Sequence, residues 1–126
     1  MNINEFMKTN EYVEFIKKNP GIGNLKIRAY AASEALPVSG LNIVISSIIS
    51  DTKVIFFIGK TDASGMISDI KLPAPSLIDN LEIPNTIKYD IEASIGNKKS
   101  NFSVNMYDGI CVVQNINFIP GEDYGN

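Results

Sequence analysis

Histidine is the side chain most often used for proton transfer near neutral pH, and this chain of 126 residues has none. Its absence also removes the commonest ligand of zinc, copper and non-haem iron. The single cysteine, Cys111, cannot close a disulfide within the chain or build a Cys-based metal cluster. It stands in the apolar run Ile110-Cys111-Val112-Val113, where a buried thiol serving as a small hydrophobe is expected. A nucleophilic thiolate needs an electropositive setting, and no local sequence supplies one.

The carboxylates suggest structure before chemistry. Asp90 and Glu92 alternate onto one face of a strand. A glycosidase holds two carboxylates across a cleft; a solvated sheet face is the ordinary home of such a pair. Asp62, Ser64 and Asp69 could offer oxygens to Ca²⁺, but the spacing lacks the sixth-position Gly and the twelfth-position Glu of an EF-hand loop. Asp62 is instead expected to cap its own turn. Gly21-Ile22-Gly23 precedes a strand pattern and not a helix, so it is no phosphate loop, and no G-x-S-x-G elbow is present. No catalytic residue, cofactor or metal is expected from these patterns, and the chain reads as a non-enzyme.

Charge narrows the partners. The formal net charge is −3 and the 11 basic residues are scattered, whereas a protein that tracks a nucleic-acid backbone clusters them. The pairs Lys17-Lys18 and Lys98-Lys99 read as solvated surface. No nucleic acid is expected as a partner. No run approaches the ~20 apolar residues needed to span a bilayer; Ile48-Ile49 and Val54–Ile58 are separated by Ser50-Asp51-Thr52-Lys53. Residues 1–18 carry Glu5, Glu11 and Glu14 and lack the basic start and apolar run of a signal peptide. Cytoplasmic synthesis without a signal peptide is expected.

The elements that would position a site follow from periodicity. Ile3, Phe6, Met7, Val13 and Ile16 fall roughly on one helical face. Asn2 with Glu5 resembles a capping box, Thr9-Asn10 could split the helix into two short pieces, and Asn19-Pro20-Gly21 ends it. From Gly23 the period becomes two: Leu25/Ile27/Ala29, Leu41/Ile43/Ile45, Ile87/Tyr89/Ile91/Ala93/Ile95 and Phe102/Val104/Met106 alternate with polar neighbours. Val54–Ile58 is apolar throughout and reads as a central strand or one covered on both faces. Pro37 and Gly40, Asp62 to Gly65, Gly96-Asn97 and Asp108-Gly109 are turn signals, the last two of hairpin type. Leu72–Pro84 reads as a long surface crossing. The expected fold is mainly β: a single antiparallel β-sandwich of about seven strands with a short N-terminal α-helix. Residues 1–20 form the helical segment, 23–120 the sandwich and 121–126 a loose tail.

Leu36-Pro37-Val38-x-Gly40 before a strand, Thr61-Asp62-x-x-Gly65, Leu72-Pro73-Ala74-Pro75, Tyr89-Asp90-Ile91 and Phe118-Ile119-Pro120, in that order, resemble the carboxypeptidase regulatory-like domain. This is a transthyretin-like β-sandwich, and the version found in Firmicutes is most similar, including the region before the catalytic domain of clostridial spore cortex-lytic enzymes. The resemblance covers roughly residues 23–120. It implies a non-catalytic module that docks or carries a partner, and it brings no chemical site with it. The related collagen-adhesin B-type domains form Lys–Asn or Lys–Asp isopeptide bonds with help from an acid. Lys26, Asn115 and Asn117 lie on the corresponding strands, but Ala93 holds the place of the acid and Glu92 faces the other way.

The expected function is therefore a β-sandwich module for protein–protein interaction or structural assembly, through a protein partner or self-association, in a spore or envelope setting. A carbohydrate- or peptidoglycan-binding module of the cell wall is the alternative, although sugar binders present aromatic platforms and this chain has no Trp. The candidate interaction surface is Phe6, Met7, Val13 and Ile16 on the N-terminal helix, with Tyr30 and Tyr107 on outward strand positions. Exposed tyrosine is frequent at protein interfaces; Tyr124 lies in the tail.

Overall fold

The structure, a computed structural model, describes residues 1–31, 36–76 and 86–118. The tail expected at 121–126, with Tyr124, and the part of the expected crossing from residue 77 to 84 lie outside the described residues. The N-terminal segment is two helices, α1 (Ile3–Phe6) and α2 (Asn10–Lys18). Asn2 caps the first, its side chain accepting from the Glu5 N–H at 2.8 Å. Thr9 makes the break: its hydroxyl donates to the Phe6 carbonyl at 2.7 Å and accepts from the Tyr12 N–H at 3.3 Å. Ending one helix and opening the next with one side chain is what an N-cap residue does best.

The strands are β1 (Gly21–Ala31), β2 (Leu36–Pro37), β3 (Asn42–Ile49), β4 (Thr52–Lys60), β5 (Met66–Ala74), β6 (Ile87–Ile95), β7 (Lys98–Met106) and β8 (Cys111–Phe118). They form two sheets. One runs β4-β3-β6-β7, and in the other β1 is flanked by β8 on one edge and by β5 and β2 on the other. The expected sandwich is present, with every pairing antiparallel but that of β1 with β8, which is parallel. Leu25, Ile27, Ile43, Ile45, Ile70, Leu72, Tyr89, Ile91 and Ile116 are all at most 3% exposed and fill the space between the sheets. Side chains of this size are worth roughly 1.5–3 kcal/mol each on burial.

Three expectations are corrected by pairing. Val54–Ile58 is not central: β4 is an edge strand. Its unbroken apolar run has a local cause. The register slips between Ile45 and Ser46, leaving Phe56 as an extra residue, so both Phe56 and Phe57 reach the core while Ile58 is 69% exposed. Asp108-Gly109 reverses the chain but makes no hairpin. The turn is fastened to the start of β1, with Ile22 N–H donating to Asp108 Oδ1 at 3.0 Å and Gly109 N–H to the Ile22 carbonyl at 3.0 Å. The chain crosses to the other sheet there. Leu72, Pro73 and Ala74 are strand and not surface crossing, because they pair with Gly23, Ile22 and Gly21.

Two hairpins keep their turns locally. Gly96-Asn97 joins β6 to β7 with Gly96 at φ +58°, as a two-residue turn requires. Ser50-Asp51 joins β3 to β4 with both residues at positive φ, +50° and +64°. That is the backbone of a type I′ turn, which Asn-Gly fills without strain. Each L-residue held there costs about 1–2 kcal/mol. The double variant Ser50→Asn/Asp51→Gly is expected to be more stable than the parent by about 1 kcal/mol, read as a raised urea midpoint at unchanged slope; a lowered midpoint contradicts the turn.

Thr61 ties the loops at the other end of these strands. Its hydroxyl donates to the Val38 carbonyl at 2.6 Å and accepts from the Leu41 N–H at 3.0 Å. Asp62 caps its own turn as expected, its Oδ1 accepting from the N–H groups of Ser64 and Met66 at 2.9 and 3.0 Å. Its oxygens are thus engaged by backbone and not poised for Ca²⁺.

Candidate functional site

The N-terminal helices close one end of the sandwich. Phe6 and Phe15 are 3% and 5% exposed and pack with Val54, Phe56, Ile49 and Ile87. The rings continue inward: Phe6–Phe15 centroids are 5.5 Å apart, Phe15–Phe56 5.7 Å and Phe56–Tyr89 5.1 Å. Beside them the first residues lie on the edge of β4, where Ile55 N–H donates to the Met1 carbonyl at 2.8 Å and Asn2 bridges Ile55 in parallel. Covering an edge strand in this way is a standard protection against unwanted pairing.

This arrangement divides the residues expected on an interaction surface. Phe6 is buried in the chain's own core and Ile16 packs against the same cluster; both serve internal docking, because a short helix gains stability chiefly by burying its apolar face. Met7 and Val13, 50% and 53% exposed, remain outside. Tyr30 is half-buried on the outward face of β1, with the Arg28 guanidinium 6.0 Å from its ring centroid. Tyr107 is half-buried in the turn after β7. These residues fall on different parts of the surface and form no single site.

What the structure does bring together is a concave track that the sequence pattern did not mark. An open groove of about 890 Å³ runs between α2 and the ends of β3 and β6, with Phe15, Ile48, Ile49 and Ile87 among its apolar lining. Its rim carries both signs of charge: Lys17 and Glu14 are 3.7 Å apart, Lys88 and Asp90 3.8 Å. A shallower depression of about 350 Å³ on the outward face of β3, β6 and β7 shares Ile48 and Asp90 with the groove and adds Ser46, Lys53, Glu92 and Asn101. Ile48 is 60% exposed. The outward face continues from it toward Val44 and Ile58, which are register partners. The only trace in the sequence was the outward Ile48 of an otherwise alternating strand.

The titratable groups of this track hold ordinary surface pairs. Glu92 meets Lys99 at 2.9 Å, and Asp90 shares the outward face with it, as the alternation implied. Among the described residues no three His, Cys, Asp or Glu side chains gather as a metal site. Two Ser-x-x-Lys spacings occur, Ser50–Lys53 and Ser68–Lys71. The first straddles a hairpin turn, and the second spans the register irregularity of β5, with Ser68 and Lys71 both exposed. Cys111 is exposed on β8, against the expected buried thiol, because the alternation of β8 turns Ile116 and not Cys111 inward. Lys26 lies on the outward face of β1, opposite Val113, Asn115 and Asn117 are exposed and Ala93 is fully buried, so the isopeptide geometry is not assembled.

One buried titratable group serves the core. Tyr89 is fully buried and its hydroxyl donates to the Pro73 carbonyl at 2.6 Å, joining the two sheets. Burial raises its pKa well above the ordinary tyrosine value. The folded chain keeps this proton at a pH where the unfolded chain has lost it. The resulting stability is full below pH 10 and falls above it by about 1.4 kcal/mol per pH unit for this group. Tyr89→Phe is expected to cost about 1 kcal/mol at pH 7 and to flatten the decline between pH 10 and 11; an alkaline decline as steep as the parent's contradicts this role.

No family model matches the chain, and no curated protein matches it. Solved structures do. The 5-hydroxyisourate hydrolase of Klebsiella pneumoniae matches with a TM-score of 0.54 and 13% identity, over 79% of this chain and 92% of that one. Transthyretin from Sparus aurata matches with a TM-score of 0.51 and 14% identity, over 75% and 89%. The expectation of a non-enzyme is corrected here: a structure that this chain resembles is a hydrolase, so the fold does not exclude catalysis. Among the described residues no helix is long and apolar enough to cross a membrane. Two four-stranded sheets over one core, with a short helical segment at the N-terminus, make this a β-sandwich of transthyretin-like fold.

Proposed function

We propose that the chain is a protein-binding module, acting in structural assembly through a partner or through its own copies, and that it binds along the track from the α2 groove across the outward face of β3. The observation that carries this reading is the continuity of the track: an apolar floor opens past Ile48, 60% exposed, onto a sheet face with charged and amide groups. An apolar patch rimmed by polar groups is the usual form of a protein-binding surface.

The finer kinship, to the Firmicutes form of the carboxypeptidase regulatory-like domain and its spore-lytic setting, belongs to this proposal. It rests on the order of the Pro-, Gly- and Tyr-containing motifs. With it go synthesis in the cytoplasm and association with the spore or envelope, which fractionation of sporulating cells with an antibody would check.

The direct test is light scattering over a concentration series with the parent and Ile48→Lys, followed by retention of a cross-linked partner on the immobilised chain. Ile48 is largely exposed, so the substitution should leave stability within about 0.5 kcal/mol. At least tenfold weaker association or retention supports the track; parent-like behaviour in both assays removes it.

A further inference from the structure

Asp108-Gly109 is the one place in the sequence where Asp or Asn precedes Gly. Such a pair carries its own chemistry. The Gly109 amide nitrogen can close a five-membered ring on the Asp108 side chain. Glycine leaves that nitrogen sterically open, whereas every other aspartate of the chain is followed by a residue with a side chain. The turn holds the glycine in place. It is closed by the Ile110 N–H donating to the Tyr107 carbonyl at 3.3 Å, with Gly109 at φ +77°, the third position of a type II turn, which calls for Gly.

In the folded chain one residue of β1 engages both reacting groups. Asp108 Oδ1 accepts from the Ile22 N–H, and the Gly109 N–H donates to the Ile22 carbonyl, each at 3.0 Å. The backbone on either side is fixed as well. Asp108 N–H donates to the Pro75 carbonyl and Asn24 N–H to the Ile110 carbonyl, each at 2.9 Å. Gly21 lies directly against the side chain: a Cβ built there would be 2.4 Å from Asp108 Cβ and 2.5 Å from its Cγ. Ring closure needs the Gly109 nitrogen to lose its proton and approach Asp108 Cγ. That proton is held by Ile22, and the carboxylate cannot turn without giving up the Ile22 N–H.

We propose that Asp108-Gly109 is a latent modification site, shut while β1 holds it and converted to isoaspartate when this turn opens. The Gly109 nitrogen forms a bond to Asp108 Cγ, a Cγ–O bond breaks, and one water leaves with the amide proton. Water then opens the imide at either carbonyl. One route restores aspartate. The other runs the main chain through the former side chain and leaves the α-carboxyl free. Water is the only co-reactant, and the inference is independent of the binding track. Isoaspartate puts one more methylene into the backbone at the crossing between the sheets and shifts Gly109 away from Ile22. An opening that would otherwise reverse is thereby made permanent.

The test compares the full chain folded in buffer with the same chain unfolded in urea, at neutral pH and one temperature. Isoaspartate is read by enzymatic methyl transfer to its α-carboxyl and by separating the peptides that contain residue 108. The folded chain is expected to convert at least tenfold more slowly. That factor should be no smaller than the hydrogen-exchange protection of the Gly109 amide, because both reactions need its N–H released. Gly21→Ala pushes Asp108 off Ile22 and, when folded, should convert at least threefold faster than the parent. Asp108→Glu, whose ring would need six members, should give no signal at 108 in either state. A chain isomerised in urea and returned to buffer should show a lowered urea midpoint. Conversion of the folded parent within threefold of the unfolded chain overturns the proposal. So does a folded Gly21→Ala chain that converts no faster, or an isoaspartyl chain with the parent's midpoint.

Discussion

Gly65→Ala is expected to destabilise the fold by about 3–4 kcal/mol, more than any other single methyl group added at a glycine among the described residues. Two effects add. Gly65 has φ +74°, which costs an L-residue about 1–2 kcal/mol. A Cβ built there would lie 2.3 Å from the Ala29 carbonyl oxygen and 3.0 Å from the Val38 nitrogen. Both are backbone atoms and cannot swing aside. They belong to the crossing where Ala29 N–H donates to the Gly65 carbonyl at 2.7 Å and Val38 N–H to the Ala29 carbonyl at 3.0 Å. Forcing these segments apart weakens both bonds, about 1 kcal/mol each. Urea unfolding measures the loss. Ser64→Ala, one residue away on the exposed turn, should change stability by less than about 0.5 kcal/mol. A Gly65→Ala chain within 1 kcal/mol of the parent would mean that the β1–β2 crossing is looser than its distances imply.

Phe15→Ala is expected to cost about 3–4 kcal/mol, within the usual range for a buried aromatic ring. The ring is 5% exposed and stands between Phe6 and Phe56 in a row that ends on Tyr89. Its removal undocks α2 and, with it, the segment that covers β4. Hydrogen exchange should therefore accelerate at the Ile55 amide, whose acceptor is the Met1 carbonyl, before it does in β1. Val13→Ala on the exposed side of α2 is the control, with a change below about 0.5 kcal/mol. Equal effects at positions 13 and 15 would mean that the buried face of α2 does not hold it to the sandwich; a large effect at Phe15 alone makes the segment a structural closure of the sandwich.

Local pattern was enough for β1, β3, β4, β6 and β7, for the helical start and for most of the turns, but it missed β2, β5 and the Ser50-Asp51 turn. Alternation in Leu25/Ile27/Ala29 or Tyr89/Ile91/Ala93 reports which side of a strand is buried, and that depends on neighbours two residues away. The same holds for Thr9, whose cap breaks the helix within three residues, and for Asp62, which folds its own turn. Pairing is different, because it is decided by residues far apart. Nothing within Ile110–Phe118 states that its partner is β1, or that the partner runs parallel; the bonds from Ile22 to Asp108 and Gly109, more than eighty residues away, send the chain to the other sheet. That crossing set β8 beside β1 and left Cys111 exposed.

The candidate track was hidden for the same reason. Its lining comes from α2, β3, β6 and β7, and a concavity has no signature in any one of them. Hydrophobic periodicity by itself determined that this chain makes two-faced strands and an amphipathic helical start. Only the tertiary structure decided that Phe6 and Phe15 face inward to close the sandwich, that β4 is an edge and that β8 pairs in parallel with β1. Side-chain burial follows short-range periodicity, whereas edges and grooves exist only once distant strands have chosen their neighbours.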